Sequence, residues 1–393
     1  MFSFIHLLPL FFFLSLAAAY NVRPTFNVLS YGAHANRFTE NSNAFSRAWT
    51  DACASNTGGR VLIPRGSYVL GPVEFEGPCK GPVDFIIKGT LEASDNPADM
   101  FRDHWITFRY VDWLVVTGGG FLYGHGRKAW PHNDCAKNSH CKSLPYTMRF
   151  DFVNNSRIEH LNSFNSRSGH FNLFSCHKVE MSYIRISAPY WSPNTDGIHI
   201  GLSTQIRILD SIIKTGDDCV SMVTGSQDIE IQRVQCGPGH GFSIGSLGGS
   251  KNEDPVSRIT IRDSSLKRTQ NGLRIKTWAP SSPTLASDII FDNIVMINVN
   301  NPIFIDQQYC PHNLCNSKAQ SNVQIRNVTF SGVRGTSSSQ FAVKLQCSRN
   351  VPCEDIKLKN INLAYHGPEG PVASSCINAE GRSYGFQLPS GCL

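Results

Sequence analysis

The sequence predicts an all-β chain coiled into a right-handed parallel β-helix, with a short N-terminal capping helix. Two patterns in its second half carry that reading. Short strand starts recur at Arg157-Ile158, Lys178-Val179, Gln205-Ile206, Asp228-Ile229, Arg258-Ile259, Asp288-Ile289, Asn322-Val323 and Asp355-Ile356. Their spacing, from about twenty residues to the mid-thirties, is a solenoid period. A second set of runs follows in the same phase: Gly197-Ile198-His199-Ile200, Cys219-Val220-Ser221-Met222, Gly241-Phe242-Ser243-Ile244, Gly272-Leu273-Arg274-Ile275 and Pro302-Ile303-Phe304-Ile305. In these runs every second residue is apolar, the pattern of a half-buried strand. Helical repeats would need long 3.6-period segments, and leucine-rich repeats their Leu/Asn signature; neither is present.

Taken in order, residues 2–19 form an apolar run ending in Leu16-Ala17-Ala18-Ala19, small residues suited to a signal-peptidase cut. The run has His6 but no Lys or Arg before its apolar centre. Pro9 and the short length argue against a membrane anchor. Residues 1–19 are therefore expected to leave as a signal peptide, and residues 20–393 to form one secreted domain. No other stretch is long and apolar enough to span a bilayer. Phe26-Asn27-Val28-Leu29 reads as a strand, and Phe45, Ala48, Trp49 and Cys53 share one face of a short helix. That helix is expected to cover the open end of the stack, where an uncapped coil exposes core and strand edges. Runs at Val61-Leu62-Ile63 and Tyr68-Val69-Leu70 bring in the first strands. The Gly- and Ser-rich tail, residues 367–393, is expected to pack over the other end.

Thirteen cysteines behind a secretory start suggest disulfides. Local pairing gives Cys53–Cys79, Cys135–Cys141, Cys219–Cys236, Cys310–Cys315, Cys347–Cys353 and Cys376–Cys392, leaving Cys176 as a buried filler. No tight Cys/His cluster offers a zinc site, so no metal is expected. Asn154-Asn155-Ser156 and Asn327-Val328-Thr329 have the spacing of glycosylation acceptors. The net charge is +6 and the pI about 8.6, with 17% charged residues. That mild excess would steer an acidic polymer toward the chain. Nucleic acid is disfavoured as the polyanion, because no Lys/Arg-rich face or nucleic-acid module is present.

The chemistry concentrates just before the second set of strands. Asp196, Asp218, His240 and Asn271 fall two residues before their strands and form one column, in which successive members would lie about 4.8 Å apart. Asp217 stands beside Asp218, and Arg274 and Lys276 have outward parity on the next strand. A single Asp-Gly would read as a capped bend. Three acids, a histidine and two cations in phase read as a site. Clustered carboxylates can protonate a leaving oxygen and activate water, as glycosidic-bond cleavage requires. Their crowding should keep one of them protonated at mildly acid pH. Cations beside the acids suit a substrate that is itself a carboxylate. Tyr309, one strand further on, is a candidate contact for a sugar ring.

The four motifs Asn194-Thr195-Asp196, Gly216-Asp217-Asp218, Gly239-His240-Gly241 and Arg274-Ile275-Lys276, with Tyr309, resemble those of the plant polygalacturonases, over residues 26–392. Cys236-Gly237-Pro238-Gly239-His240-Gly241 and Arg334-Gly335-Thr336-Ser337 are most similar to the pollen-type, exo-acting branch. The resemblance implies hydrolysis of α-1,4-galacturonan in pectin by single displacement with inversion, without a cofactor. It implies Asp217 as proton donor, Asp196 and Asp218 holding the attacking water, and His240 supporting the acid. Asn194, Arg274, Lys276 and Tyr309 would bind the galacturonate. The expected protein is a secreted monomer whose partner is pectin or polygalacturonate, with no nucleic acid and no membrane once the signal is gone.

Three stretches depart from the family's wording: Asn36-Arg37-Phe38-Thr39-Glu40-Asn41, Tyr123-Gly124-His125-Gly126 and Ser221-Met222-Val223-Thr224. None touches the acid set. Exo attack needs one end of the groove closed; the candidate barriers are residues 134–144 and Pro311-His312-Asn313-Leu314. An endo enzyme, a calcium-dependent eliminase with an Arg base and a pectin-binding wall protein without catalysis are the alternatives. Inversion is carried by the resemblance alone, since one-rung spacing of about 4.8 Å lies nearer the roughly 5 Å carboxyl separation of retaining enzymes.

Overall fold

A computed structural model describes residues 23–96, 99, 104–134, 138, 141–311 and 319–393. The expected signal, Cys135, Cys315 and parts of both candidate barriers lie outside these residues. Each turn of the chain lays down three strands, and each strand pairs in parallel with its counterpart one turn away. The first stack includes Asn154–Glu159, His177–Ser182, Thr204–Leu209, Gln227–Gln232 and Val256–Arg262. The second includes Asn162–Phe164, Arg185–Ser187, Ile212–Lys214, Gln235–Cys236 and Ser265–Lys267. The third includes Phe171–Phe174, Ile198–Gly201, Val220–Met222, Phe242–Leu247, Asn271–Trp278 and Asn301–Tyr309. The architecture is a right-handed parallel β-helix, the hand that parallel crossovers favour.

One left-handed residue per turn makes the corner between the first and second stacks. His160, Tyr183, Asp210, Arg233, Asp263, Asn293, Gly332 and Asn360 all have φ between 48° and 61°. Asp and Asn suit this conformation because their short polar side chains hydrogen-bond locally. The expected inward ladders are in register: Ile198, Val220, Phe242, Leu273 and Ile303 form one, and Ile200, Met222, Ile244, Ile275 and Ile305 the next. All ten are fully buried. Ordinary burial at roughly 1.5–3 kcal/mol per large side chain is what holds the coil.

The helix Ser42–Ala54 closes the N-terminal end, as its apolar face implied, burying Phe45, Ala48, Trp49 and Ala52. The Trp49 ring lies 5.3 Å from Phe75 and 5.5 Å from Phe108, and its indole N–H donates to the Glu76 carbonyl at 3.0 Å. Cys53–Cys79 pins the helix end. Cys219–Cys236, Cys347–Cys353 and Cys376–Cys392 also form, Cys176 is free and buried, and Cys141 and Cys310 are disulfide-bonded. The tail differs from expectation. Rather than a loop packed on the end, Ala373–Ile377 and Ala379–Leu388 continue the third and first stacks as paired strands. No described helix is long and apolar enough to cross a membrane. Because Trp49 joins the cap to the first aromatic layers, Trp49→Ala should cost about 3–5 kcal/mol. A lower urea midpoint would show this; an unchanged midpoint would mean that the cap adds nothing to stability.

Candidate active site

The acids occupy one corner of consecutive turns, between the second and third stacks. The chain leaves Arg185–Ser187, bends through residues 192–197 and enters Ile198–Gly201. One turn on, it leaves Ile212–Lys214, bends through Asp217 and Asp218 and enters Val220–Met222. The next bend carries His240 into Phe242–Leu247. Backbone hydrogen bonds lock the bends together: Gly197 N–H to Asp218 O at 2.9 Å, and His240 N–H to Asp217 O at 2.7 Å. Two glycines permit this nesting. A Cβ on Gly216 would sit 2.0 Å from Ser192 O, and one on Gly241 (φ +92°) 2.1 Å from Asn271 O. Thr195 Oγ1 accepts from Gly216 N–H at 2.9 Å, and Cys219, next to Asp218, is bonded to Cys236 on the following turn.

Each carboxylate has its own partners. Asp218 is almost wholly buried; Lys276 Nζ donates to its Oδ2 at 2.7 Å and Ser243 Oγ to its Oδ1 at 2.6 Å. Asp217 Oδ1 meets His240 Nδ1 at 2.9 Å and accepts the Asp218 N–H at 2.8 Å. Ser221 Oγ donates to Asp196 Oδ2 at 2.8 Å, so its oxygen is left to accept from His199 Nδ1–H at 2.7 Å. Burial pushes His199 down to about 4, which keeps this histidine neutral at mildly acid pH. Asp196 is pushed well above the carboxylate range, first by burial and then by the charges of Asp217 and Asp218. Burial also acts to raise Asp217, but the His240 hydrogen bond and the charges of His240 and Lys276 outweigh it and hold Asp217 low. Burial would lower His240 and Lys276, yet their carboxylate neighbours hold both above their ordinary values. Of the acids, Asp196 is therefore the one most disposed to hold a proton and Asp217 the one most disposed to ionise.

All the expected ligand-contacting residues meet at one cavity of about 770 Å³, which Asn194, Asp217, His240, Arg274, Lys276 and Tyr309 line. Asp196 and Asp218 stand beside Asp217 along the stack. Arg274 is not a bare cation: its guanidinium donates to Asp306 Oδ2 at 2.6 Å and lies 4.9 Å from the centre of the Tyr309 ring. The Lys276 ammonium is 5.2 Å from the same ring. On the far side of His240 the cleft continues into a second cavity of about 660 Å³, with Tyr190, Arg268 and Asn298 in its walls. An extended chain could therefore run past the acids. Asp217, Asp218 and His240 present ligand atoms within 4.8 Å of one another. A divalent ion there would have to share Asp218 with the Lys276 ammonium, so the set fits a metal poorly.

His199, Ser221, Ser243 and Asp306 were not among the expected site residues. The first three occupy the outward position of strands whose inward positions the alternation had identified, and Asp306 pairs in register with Lys276. Outward parity was the signal that could have found them.

Comparison with known proteins gives the family and the fold. The exopolygalacturonase of Platanus acerifolia is 42% identical over 366 residues, covering 93% of this chain and 97% of that one. A polygalacturonase of Brassica napus is 41% identical over 374 residues, 93% of this chain and 94% of the relative. Among solved structures, the endo-xylogalacturonan hydrolase of Aspergillus tubingensis superposes with a TM-score of 0.78 at 22% identity, covering 92% of this chain and all of that one. The profile of the glycosyl hydrolases family 28 matches residues 53–385, and the chain belongs to that family.

Proposed function

We propose that the chain is a secreted, exo-acting polygalacturonase that hydrolyses α-1,4-galacturonosyl linkages of pectin by single displacement with inversion. The observation that carries this is the meeting of an acid group and two cations at one cavity: Asp217, Arg274 and Lys276 all line it. A galacturonate carboxylate placed on Lys276 and Arg274, with its ring against Tyr309, sets the glycosidic oxygen beside Asp217. Asp217 donates a proton to that oxygen as the bond to C1 breaks. Water held by Asp196 and Asp218 attacks C1 from the opposite face and gives up its proton to the pair. The polygalacturonase names of the relatives support the substrate, and the exopolygalacturonase among them supports exo attack. Pro311 and Cys310, at the base of one candidate barrier, already line the cavity. An extracellular place fits the expected signal.

These directions favour the proton on Asp196 over the donor Asp217, and substrate reverses the preference. Lys276 is one of the charges that hold Asp217 low, and ionised Asp217 is one of the charges that hold Asp196 high. A substrate carboxylate on Lys276 offsets the ammonium and adds negative charge, which raises Asp217. Once Asp217 is protonated it no longer lifts Asp196, so Asp196 falls and can serve as base. The proton thus moves from Asp196 to Asp217 as substrate binds, a coupled titration of the cluster.

A general acid fails as pH rises through its pKa. The alkaline limb of kcat, which reports the complex, should therefore lie at higher pH than the alkaline limb of kcat/KM, which reports the free enzyme. Asp217→Asn should remove that limb and lower kcat by about 10²–10⁴-fold with KM little changed. Coincident limbs, or near-normal turnover in the variant, would contradict the donor assignment. The mode of attack is read from products at low conversion in EDTA. Early monogalacturonate, with viscosity nearly unchanged and no unsaturated ultraviolet-absorbing ends, is expected. A rapid viscosity drop with mixed oligomers would mean endo attack, and calcium-dependent absorbance would mean elimination.

A further inference from the structure

The first stack carries a groove that has no part in the acid site. Its volume is about 270 Å³, and Trp113, Arg157, Lys178, Glu180, Gln205 and Arg207 are in its walls. These residues belong to, or directly precede, strands of the first stack, whereas the acids and their cations sit at the entry to the third. Trp113 leaves 56% of its surface open to solvent. Next to it at the same corner, Tyr110 and Phe152 stack at 5.0 Å and are also exposed.

Two columns of outward side chains run along this stack. One holds Arg157, Glu180, Arg207, Glu230 and, further on, Lys357. The other is made of the left-handed residues that the register skips, among them Asn155, Lys178, Gln205, Asp228 and Arg258. Most basic residues of these columns are engaged. Arg207 contacts Glu180 at 2.8 Å and Glu230 at 3.2 Å, Arg258 contacts Asp228 at 2.6 Å, and Lys357 contacts Asp355 at 2.9 Å. Arg157 and Lys178 have no hydrogen bond or ion pair among the described residues, and both are exposed. These two unengaged cations lie on adjacent turns, in one groove, beside an exposed indole.

We infer that this groove is a second, non-catalytic binding site for a polyuronate chain, an inference that rests on the polygalacturonate reading above. The C–H face of a pyranose ring packs on the Trp113 indole, while Arg157 and Lys178 meet carboxylates of the same chain. Gln205 and Asn155 offer hydrogen bonds to ring hydroxyls. Uronate is the sugar class that the charge selects, because a neutral glycan would leave both cations without partners. Held on one face, the polymer stays near the acid cleft on another, and effective concentration rises without any change in the catalytic step.

The test uses two readouts on one set of substitutions, Trp113→Ala with Arg157→Ser and Lys178→Ser. Retention in gels containing polygalacturonate is measured in an Asp217→Asn background, so that the polymer survives the run. Turnover of trigalacturonate is measured with Asp217 intact. The substitutions should weaken retention about tenfold, the scale of a few exposed contacts. Retention on neutral galactan and turnover of trigalacturonate should not change. Should the triple variant fail to fold, Lys178→Ser alone carries the test, with a smaller loss of retention expected in the same direction. Unchanged retention on polygalacturonate, or an equal loss on galactan, would overturn the site. Polymer retention that depends on these residues in a protein that turns over no galacturonate would support the groove while refuting the hydrolase reading.

Discussion

The buried ion pair between Lys276 and Asp218, with its 2.7 Å contact, is what lets three carboxylates share one corner of the coil. Turns about 4.8 Å apart bring like groups within repulsive range. At an effective dielectric near 20, each such pair of charges repels by about 3 kcal/mol. The Lys276 ammonium offsets part of that repulsion, and burial with the charges of Asp217 and Asp218 raises Asp196 toward its neutral form. The same pair constrains the chemistry. Lys276 cannot leave without exposing an uncompensated carboxylate, so its charge is fixed and the mobile quantity in the site is the proton. Binding of an acidic sugar acts on the protonation of the cluster through Lys276, which is why the cation set and the acid set have to be neighbours.

Much of this was legible because a parallel coil converts sequence phase into spatial position. Alternation at Ile198/Ile200 and its four later copies located the inward ladders, and the same phase placed Asp196, Asp218 and His240 in one column. Outward residues were harder to read. Ser221 and Ser243 look like ordinary strand polars until the register shows each aimed at an acid. The ion pair of Arg274 with Asp306 was hidden because it runs diagonally: Asp306 lies on the next turn opposite Lys276, and the residue opposite Arg274 is Phe304. The location of the proton was beyond pattern, since it depends on how deeply each acid is buried. The tail misled for a related reason: Ala379–Leu388 is mostly exposed, so it pairs as a strand without the alternation that marks one.

The three faces of the coil divide the work. The third stack and its entry corner hold the reacting groups, set on backbone that the neighbouring turns lock in place. The second stack is narrow and supplies little but the approach to that corner. The first stack carries a ladder of alternating charges, in which Arg207 is shared by Glu180 and Glu230, and the gap in that pairing is where an acidic chain has room to bind. Exposed pairs of this kind add little stability individually.

The central claim is that acids stacked on neighbouring turns perform a single displacement, although rung spacing by itself lies nearer the carboxyl separation of retaining enzymes. The anomeric configuration of the first-formed product decides between the two. Proton NMR in the first seconds of hydrolysis, before mutarotation, should show the β-anomer of galacturonate released from the α-linked polymer. An initial α-anomer would mean a covalent intermediate on one of these carboxylates and would contradict the account.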